Sequence, residues 1–383
     1  MNRSLGRVLA TGAIAAIAGF VPGPGCAAGE GVAAAPAAFG LPPLQLPADV
    51  VLDPNRIELG RRLFFDRRLS FNGTMSCAMC HVPEEGFTSN ASRTALGIEG
   101  KSLRRNAPSL LNVAWQTTLF HDGRELSLPT QAWMPLLHPD EMANPSIGHL
   151  LQRIRSMADY DGQFERAFGG RGPTMETLGE AIAAFEATLV AADSRFDRWL
   201  YGGQQTALND EERLGYRIFS GKGHCTACHL VGERHALLSD GKFHVTGAGF
   251  APPTGRSFVV PLAPGVQTVL RDADLAAFAA PAAPDLGRFE ITLDPADRYA
   301  FKTPGLRNVA RTAPYMHDGS QATLEQVVDF YDLGGGEAPG KDPVLSALGL
   351  APVEKRALVA FLRSLEGTNL PALMSGSRRP ARP

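Results

Sequence analysis

Two strings, Cys77-Ala78-Met79-Cys80-His81 and Cys225-Thr226-Ala227-Cys228-His229, constrain this chain more than any other feature. In C-x-x-C-H the two thiols add to the vinyl groups of a haem while the adjacent imidazole reaches the iron. Other uses of paired cysteines fit poorly. A zinc knuckle needs its second pair roughly 15–20 residues on, whereas here the pairs begin at Cys77 and Cys225. Thioredoxin-like chemistry needs a βαβ setting, and two local disulfides would leave both histidines idle. Two covalently bound c-type haems are therefore expected, on Cys77, Cys80, Cys225 and Cys228, with His81 and His229 as iron ligands.

The N-terminus sets the compartment. Arg3 and Arg7 precede an apolar run from Val8 to Val21, and small residues follow around Ala27 and Ala28. A basic start, a short apolar core and a small-residue cleavage region describe a secretory signal peptide over 1–28. The run is short of the roughly 20 apolar residues that a spanning helix needs, and the mature protein is expected to be exported to the periplasm without crossing the membrane. Cys26 follows Gly23-Pro24-Gly25, a poor lipidation box, and should leave with the leader. A formal charge of −2 gives no field that would attract nucleic acid.

After an Ala/Pro/Gly-rich linker over 29–48, the chain repeats itself. Leu59-Gly60-Arg61-Arg62-Leu63-Phe64 precedes the first cysteine pair and Leu214-Gly215-Tyr216-Arg217-Ile218-Phe219 the second. Asn209 with Glu212 reads as a capping pair opening the second of these helices. Asn112-Val113-Ala114 recurs as Asn308-Val309-Ala310, and His121-Asp122-Gly123 as His317-Asp318-Gly319, at one offset. The expected fold is mainly α: two cytochrome c-like haem domains related by internal duplication, with long loops. Their bounds are 49–200 and 201–370, with a disordered tail over 371–383. The second half carries extra Gly/Pro/Ala-rich sequence between His229 and Pro304, read as a surface excursion without helical period.

The sixth iron ligand separates electron carriage from catalysis. No histidine or methionine occurs between Val82 and Phe120, so the first haem lacks a local distal ligand. Downstream, Gln131 and Glu141 are candidates for a polar pocket, since cleaving a peroxide O–O bond needs a group that moves a proton between its oxygens. A lone glutamate is more often a solvated surface residue. In the second half, Thr323-Leu324-Glu325-Gln326 resembles a capping box, and Leu324, Val327, Val328 and Tyr331 share one helix face. Tyr331 reads first as a core aromatic, although a phenolate can ligate ferric haem. Met316 is a competing sulfur ligand, but lies in a turn.

These strings, together with Arg105-Asn106-Ala107-Pro108, Phe301-Lys302-Thr303-Pro304 and Pro314-Tyr315-Met316-His317-Asp318-Gly319, closely resemble the bacterial di-haem cytochrome c peroxidase and MauG family over about 55–365. The resemblance implies that the N-terminal haem meets hydrogen peroxide and the C-terminal haem passes electrons. It implies a distal set of Gln131, Pro135 and Glu141. It also implies a calcium ion held by the Asn106 side chain and the carbonyls of Thr312 and Pro314, an oxygen-only set that suits a hard cation. Ordinary peroxidases of the family carry a methionine on the second haem at the position of Tyr331; MauG, which oxidises tryptophans in a precursor protein, carries tyrosine. In many of these peroxidases a loop supplies a removable histidine to the first haem; that loop lacks histidine here, and this departure and Tyr331 favour the MauG-like branch. The family's usual tryptophan between the haems is His121 here, with Trp115 and Trp133 as other candidates.

The expected function is thus a periplasmic peroxidase drawing electrons from a redox partner protein, which is a small cytochrome c, a cupredoxin or a protein substrate. A conventional peroxidase fed by such carriers and a non-catalytic di-haem electron carrier are the alternatives.

Overall fold

A computed structural model describes residues 39–250 and 285–376 in full, and the strands 257–263 and 266–271 as backbone. The expected leader with Cys26, residues 29–38 of the linker and residues 377–383 of the tail lie outside the described residues. The architecture is mainly helical with little sheet. No helix among the described residues is long and apolar enough to cross a membrane.

Helix α1 (Pro54–Phe65) starts where Asp53 accepts the backbone N–H groups of Asn55 and Arg56, with Pro54 in the first turn. The Cys77–Cys80 stretch forms one turn, α2. Next come α3 (Leu128–Gln131) and α4 (Trp133–Leu137). Then follow α5 (Ile147–Arg155), α6 (Gln163–Ala167), α7 (Met175–Glu186), α8 (Arg195–Leu200) and α9 (Asp210–Ser220). As the sequence suggests, Asn209 caps α9 reciprocally with Glu212. Beyond the second motif come α10 (Phe289–Thr292), α11 (Leu324–Asp332), α12 (Pro352–Arg363) and α13 (Leu370–Gly376). Helix α13 falls where a tail is expected from sequence, because Leu370, Leu373 and Met374 pack against the cluster of Phe64, Phe87 and Phe185.

Each helix that leads into a cysteine pair crosses a partner at a glycine. A Cβ on Gly60 of α1 would sit 1.8 Å from the Ala181 carbonyl of α7, and one on Gly215 of α9 would sit 1.9 Å from the Ala357 carbonyl of α12. Only glycine allows so close an approach of backbones. The two crossings seed separate apolar cores. Leu59, Leu63, Leu136, Leu150, Ile154, Phe164 and Leu178 fill one, and Phe196, Ile218, Phe219, Val328, Phe361 and Leu362 fill the other.

Other matched positions adopt the same local form. Asn112 and Asn308 both sit at positive φ and open a 3-10 turn. Bridges pair Leu119 with Glu125 and Tyr315 with Gln321.

The excursion in the second half is more ordered than its composition suggests. Strands β2 (Ser257–Ala263) and β3 (Val266–Arg271) pair antiparallel, with Val259 opposite Val269. A β-branched run on either side of Pro264-Gly265 is a hairpin signal that the sequence reading passed over. Strand β1 (Phe243–His244) pairs with β4 (Phe301–Lys302), closing the excursion at its base.

The end of the stretch assigned to the linker is docked as a strap. The Gly40 carbonyl accepts from Arg307 Nη2 at 2.5 Å and from the Ala236 N–H at 3.0 Å. Trp115 donates its indole N–H to the Pro42 carbonyl at 3.0 Å, and Leu41 is buried beside Val190, Ala192 and Leu237.

Candidate haem and peroxide site

One cavity of about 1450 Å³ runs past both cysteine motifs. Its wall includes Cys80, His81, Cys225, Cys228 and His229, and also Gln131, Pro135, Glu141 and Tyr331. Cys77 alone of the expected attachment residues does not line it; its thiol is pushed well up by burial and by the neighbouring Glu186 carboxylate. Single ligand pockets usually hold about 300–1,000 Å³, so the space is ample for two large cofactors.

The two histidines are prepared in the same way. Nδ1 of His81 lies 3.0 Å from the Phe87 carbonyl, and Nδ1 of His229 lies 2.8 Å from the Leu238 carbonyl. Burial lowers both pKa values, against a smaller opposing pull from these carbonyls, so each ring is neutral and donates through Nδ1. A neutral imidazole fixed this way leaves Nε2 for a metal. The residues fit covalent haem at both motifs.

Gln131 ends α3 and Pro135 lies in α4, and both line the cavity. The Pro135 carbonyl accepts the Met142 N–H at 3.1 Å, and the Glu141 carbonyl accepts the Ile98 N–H at 3.0 Å. The Glu141 backbone is thereby held between α4 and the loop that follows the first motif. Burial raises the Glu141 pKa, while His138 and Arg124 oppose the rise. His138 Nδ1 lies 3.8 Å from Glu141 Oε1. A half-buried carboxyl poised above its ordinary range is suited to taking up and returning a proton.

Tyr331 lies in the last turn of α11, on the cavity wall, edge-on to Phe330 at 5.1 Å. Its hydroxyl is pushed well above the usual phenol range by burial and by the nearby Cys225 and Cys228 sulfurs. Such a phenol stays protonated unless a cation faces it, so it would ionise only against iron. Met316 also lines the cavity, at positive φ in its turn.

The cavity is also lined by His121, His317, Phe301 and Lys302. His121 donates from Nε2 to the Asn106 carbonyl at 2.9 Å, and burial pushes its pKa down to about 4. His317 stacks on Phe301 at 3.5 Å, and burial takes its pKa down to about 4 as well. Lys302 donates to Gln116 Oε1 at 2.6 Å and to the Thr118 carbonyl at 2.5 Å, with its amine pushed down to about 8 by burial. Trp115 borders the cavity, whereas Trp133 is buried and donates to the Met175 carbonyl at 2.9 Å.

Asn106 donates from Nδ2 to the Pro314 carbonyl at 2.6 Å, which brings two of the three expected calcium donors together. Its Oδ1 is buried and has no hydrogen-bond partner among the described residues.

Sequence reasoning missed one charged group on this wall. His244 lies between two carboxylates, with Nδ1 2.6 Å from Asp342 and Nε2 3.0 Å from Asp240. Nothing local in the sequence joins Asp342 to His244; the excursion and its β1–β4 base bring them together.

A family model described as di-haem cytochrome c peroxidase matches residues 54–205. The chain is similar to the methylamine utilization protein MauG of Methylorubrum extorquens, at 35% identity over 82% of this chain and 79% of that one. It is similar to the cytochrome c551 peroxidase of Nitrosomonas europaea at 36% identity, over 81% and 79% of the two chains. A solved structure, a MauG-like protein associated with microbial copper homeostasis, matches at a TM-score of 0.70 and 33% identity, covering 88% of this chain and 96% of that one.

Proposed function

Because the chain belongs to the di-haem cytochrome c peroxidase family, whose members are oxidoreductases carrying two c-type haems, we propose that it is a periplasmic, MauG-like peroxidase that oxidises a partner protein. Hydrogen peroxide is reduced at the N-terminal haem, and the electrons enter through the C-terminal one. The observation that carries the MauG-like reading is Tyr331, presented to the cavity from α11 at the second haem motif.

Cys77, Cys80 and His81 would hold the first haem, and Cys225, Cys228, His229 and Tyr331 the second. When bound, the haems supply the iron that meets peroxide and the electrons that reduce it. Glu141 takes the proton from the inner oxygen of peroxide and returns it to the outer one, which must leave as water. Gln131 orients the peroxide, and Pro135 keeps the distal side narrow. Tyr331 would ligate the second haem as a phenolate, whose negative charge would favour the more oxidised forms of the iron. Asn106 with the Thr312 and Pro314 carbonyls is proposed to hold calcium; the partnerless Oδ1 of Asn106 supports this. The leader over 1–28 supports export. The repeated offset of 196 between Asn112 and Asn308 supports an internal duplication into domains at 49–200 and 201–370.

The test is the visible spectrum of the fully oxidised holoprotein before and after stoichiometric peroxide, without reductant. A prompt change supports this reading. A change only after one electron is supplied means a conventional peroxidase, and no change in either state means an electron carrier.

A further inference from the structure

The turn that ends α4 carries a second titratable side chain beside Glu141. Pro139 disfavours helical backbone at the residue before it, and His138 accordingly leaves α4 in extended conformation. The chain then folds back, and the His138 carbonyl accepts the N–H groups of Glu141 at 3.1 Å and Ala143 at 3.0 Å. The loop after the first motif packs against this turn. A Cβ on Gly97 would lie 1.8 Å from the Asp140 carbonyl, so only glycine permits the approach. The Ile98 N–H donates to the carbonyls of both Asp140 and Glu141. His138 and Glu141 thus sit three positions apart on a clamped turn, and both line the cavity.

The His138 ring has two neighbours at one nitrogen. Nδ1 accepts the Asp140 N–H at 3.2 Å and stands 3.8 Å from Glu141 Oε1. An Nδ1 with a free lone pair suits the first, whereas a protonated Nδ1 can only donate and suits the second. A small rotation of the ring exchanges them. The His138 side chain is 48% exposed and that of Glu141 28%, so the imidazole is the more open to water. The other charged groups around Glu141 are Arg124 and Asp140. Arg124 keeps its proton throughout and is paired with Asp122 at 3.0 Å. Asp140 is paired with Lys101 at 3.2 Å. Of these side chains, imidazole is the one that exchanges protons readily near neutral pH. As a half-exposed ion pair, His138 with Glu141 adds little stability.

We propose that His138 is a positioning residue that relays protons from solvent to Glu141, supplying the two that complete the reduction of each peroxide. This rests on the peroxidase reading. Hydrogen peroxide brings two protons, which leave with its outer oxygen as the first water. The inner oxygen leaves as the second water only with two electrons and two further protons. The electrons come from the donor, and the protons enter one at a time. His138 takes a proton from solvent on Nδ1, turns Nδ1 from the Asp140 N–H to Glu141, and passes the proton to the carboxylate. Glu141 gives it to the departing oxygen and is free to accept the next.

The experiment follows proton uptake with a pH indicator in weakly buffered solution while the oxidised holoprotein turns over peroxide with ferrocyanide, a donor that releases no proton. Visible spectra report the haem response separately. Wild type should take up two protons per peroxide in step with ferrocyanide oxidation. In His138→Asn both should slow at least fivefold, and free imidazole should restore turnover to at least half the wild-type rate. The haem response to stoichiometric peroxide draws on no outside proton and should slow less than twofold. His138→Gln should behave as the Asn variant does. Proton uptake at the wild-type rate in either variant would overturn the relay, as would a loss that imidazole does not restore or that falls equally on the haem response. No haem response in wild type would overturn the peroxidase reading and the relay with it.

Discussion

Arg307 grips Asp197 with both guanidinium nitrogens, Nη1 and Nη2 each 2.8 Å from a carboxylate oxygen, in a place where neither side chain meets solvent. The same guanidinium holds the Ala236 carbonyl at 2.8 Å and the Gly40 carbonyl of the strap. Removing one partner of a buried pair leaves the other charge stranded, at a cost of about 3–5 kcal/mol. Arg307→Met is therefore expected to lower the unfolding free energy of the holoprotein by that amount, read as a fall in the urea midpoint. Asp197→Asn in the same chain should recover part of the loss, and an unchanged midpoint in Arg307→Met would show that the pair does not contribute.

Glu141→Gln should slow peroxide consumption by about 10²–10⁴-fold, the usual contribution of a positioned acid–base group. The haem content read from absorbance should not change. Because burial raises the Glu141 pKa above 4.5, the proton-accepting form is lost as pH falls through that raised value. The rate of the wild-type peroxide reaction should therefore rise with pH through this range, and the Gln variant should be flat there. A Gln variant with the wild-type profile would take Glu141 out of the mechanism.

Tyr331→Phe removes the proposed ligand and nothing else. The spectrum and the midpoint potential of one haem should move while those of the other stay fixed, because Tyr331 lies by the second motif alone. Spectra identical to wild type would eliminate it as a ligand.

The Asp240–His244–Asp342 cluster should make stability depend on pH in both directions. Burial by itself would lower the His244 pKa, but the hydrogen bonds to Asp342 and Asp240 outweigh it and raise it above 6.5. That contribution is complete below pH 6.5 and is lost as pH rises through the raised value. Asp240 and Asp342 are held below 3.8: burial opposes this, but the Lys242 N–H and His244 prevail at Asp240, and His244 prevails at Asp342. Their contribution is present above 3.8 and fades as pH falls through the lowered values. Melting temperature against pH should show both limbs in wild type, and His244→Gln should lose the alkaline one.

The fold was legible where chemistry is local. The helix before each cysteine pair, the Asn209–Glu212 cap and the presentation of Tyr331 from a helix all follow from short-range patterns, and the structure has them where the sequence places them. What sequence could not supply depends on long separations. His244 meets Asp342 across 98 positions, and Lys302 meets Thr118 across 184. The hairpin at 257–271 was missed for a different reason. Its flanking Gly, Pro and Ala residues masked the β-branched residues that lie on either side of Pro264-Gly265.

The strap has a consequence for the order of assembly. Gly40 and Arg307 are 267 positions apart, so the first of the described residues are fastened by one that leaves the ribosome much later. Contacts of such span form slowly, and the clasp takes in the Ala236 backbone, two residues before the Leu238 carbonyl that holds His229. The His229 ring is therefore expected to take its final orientation only once these distant segments have met.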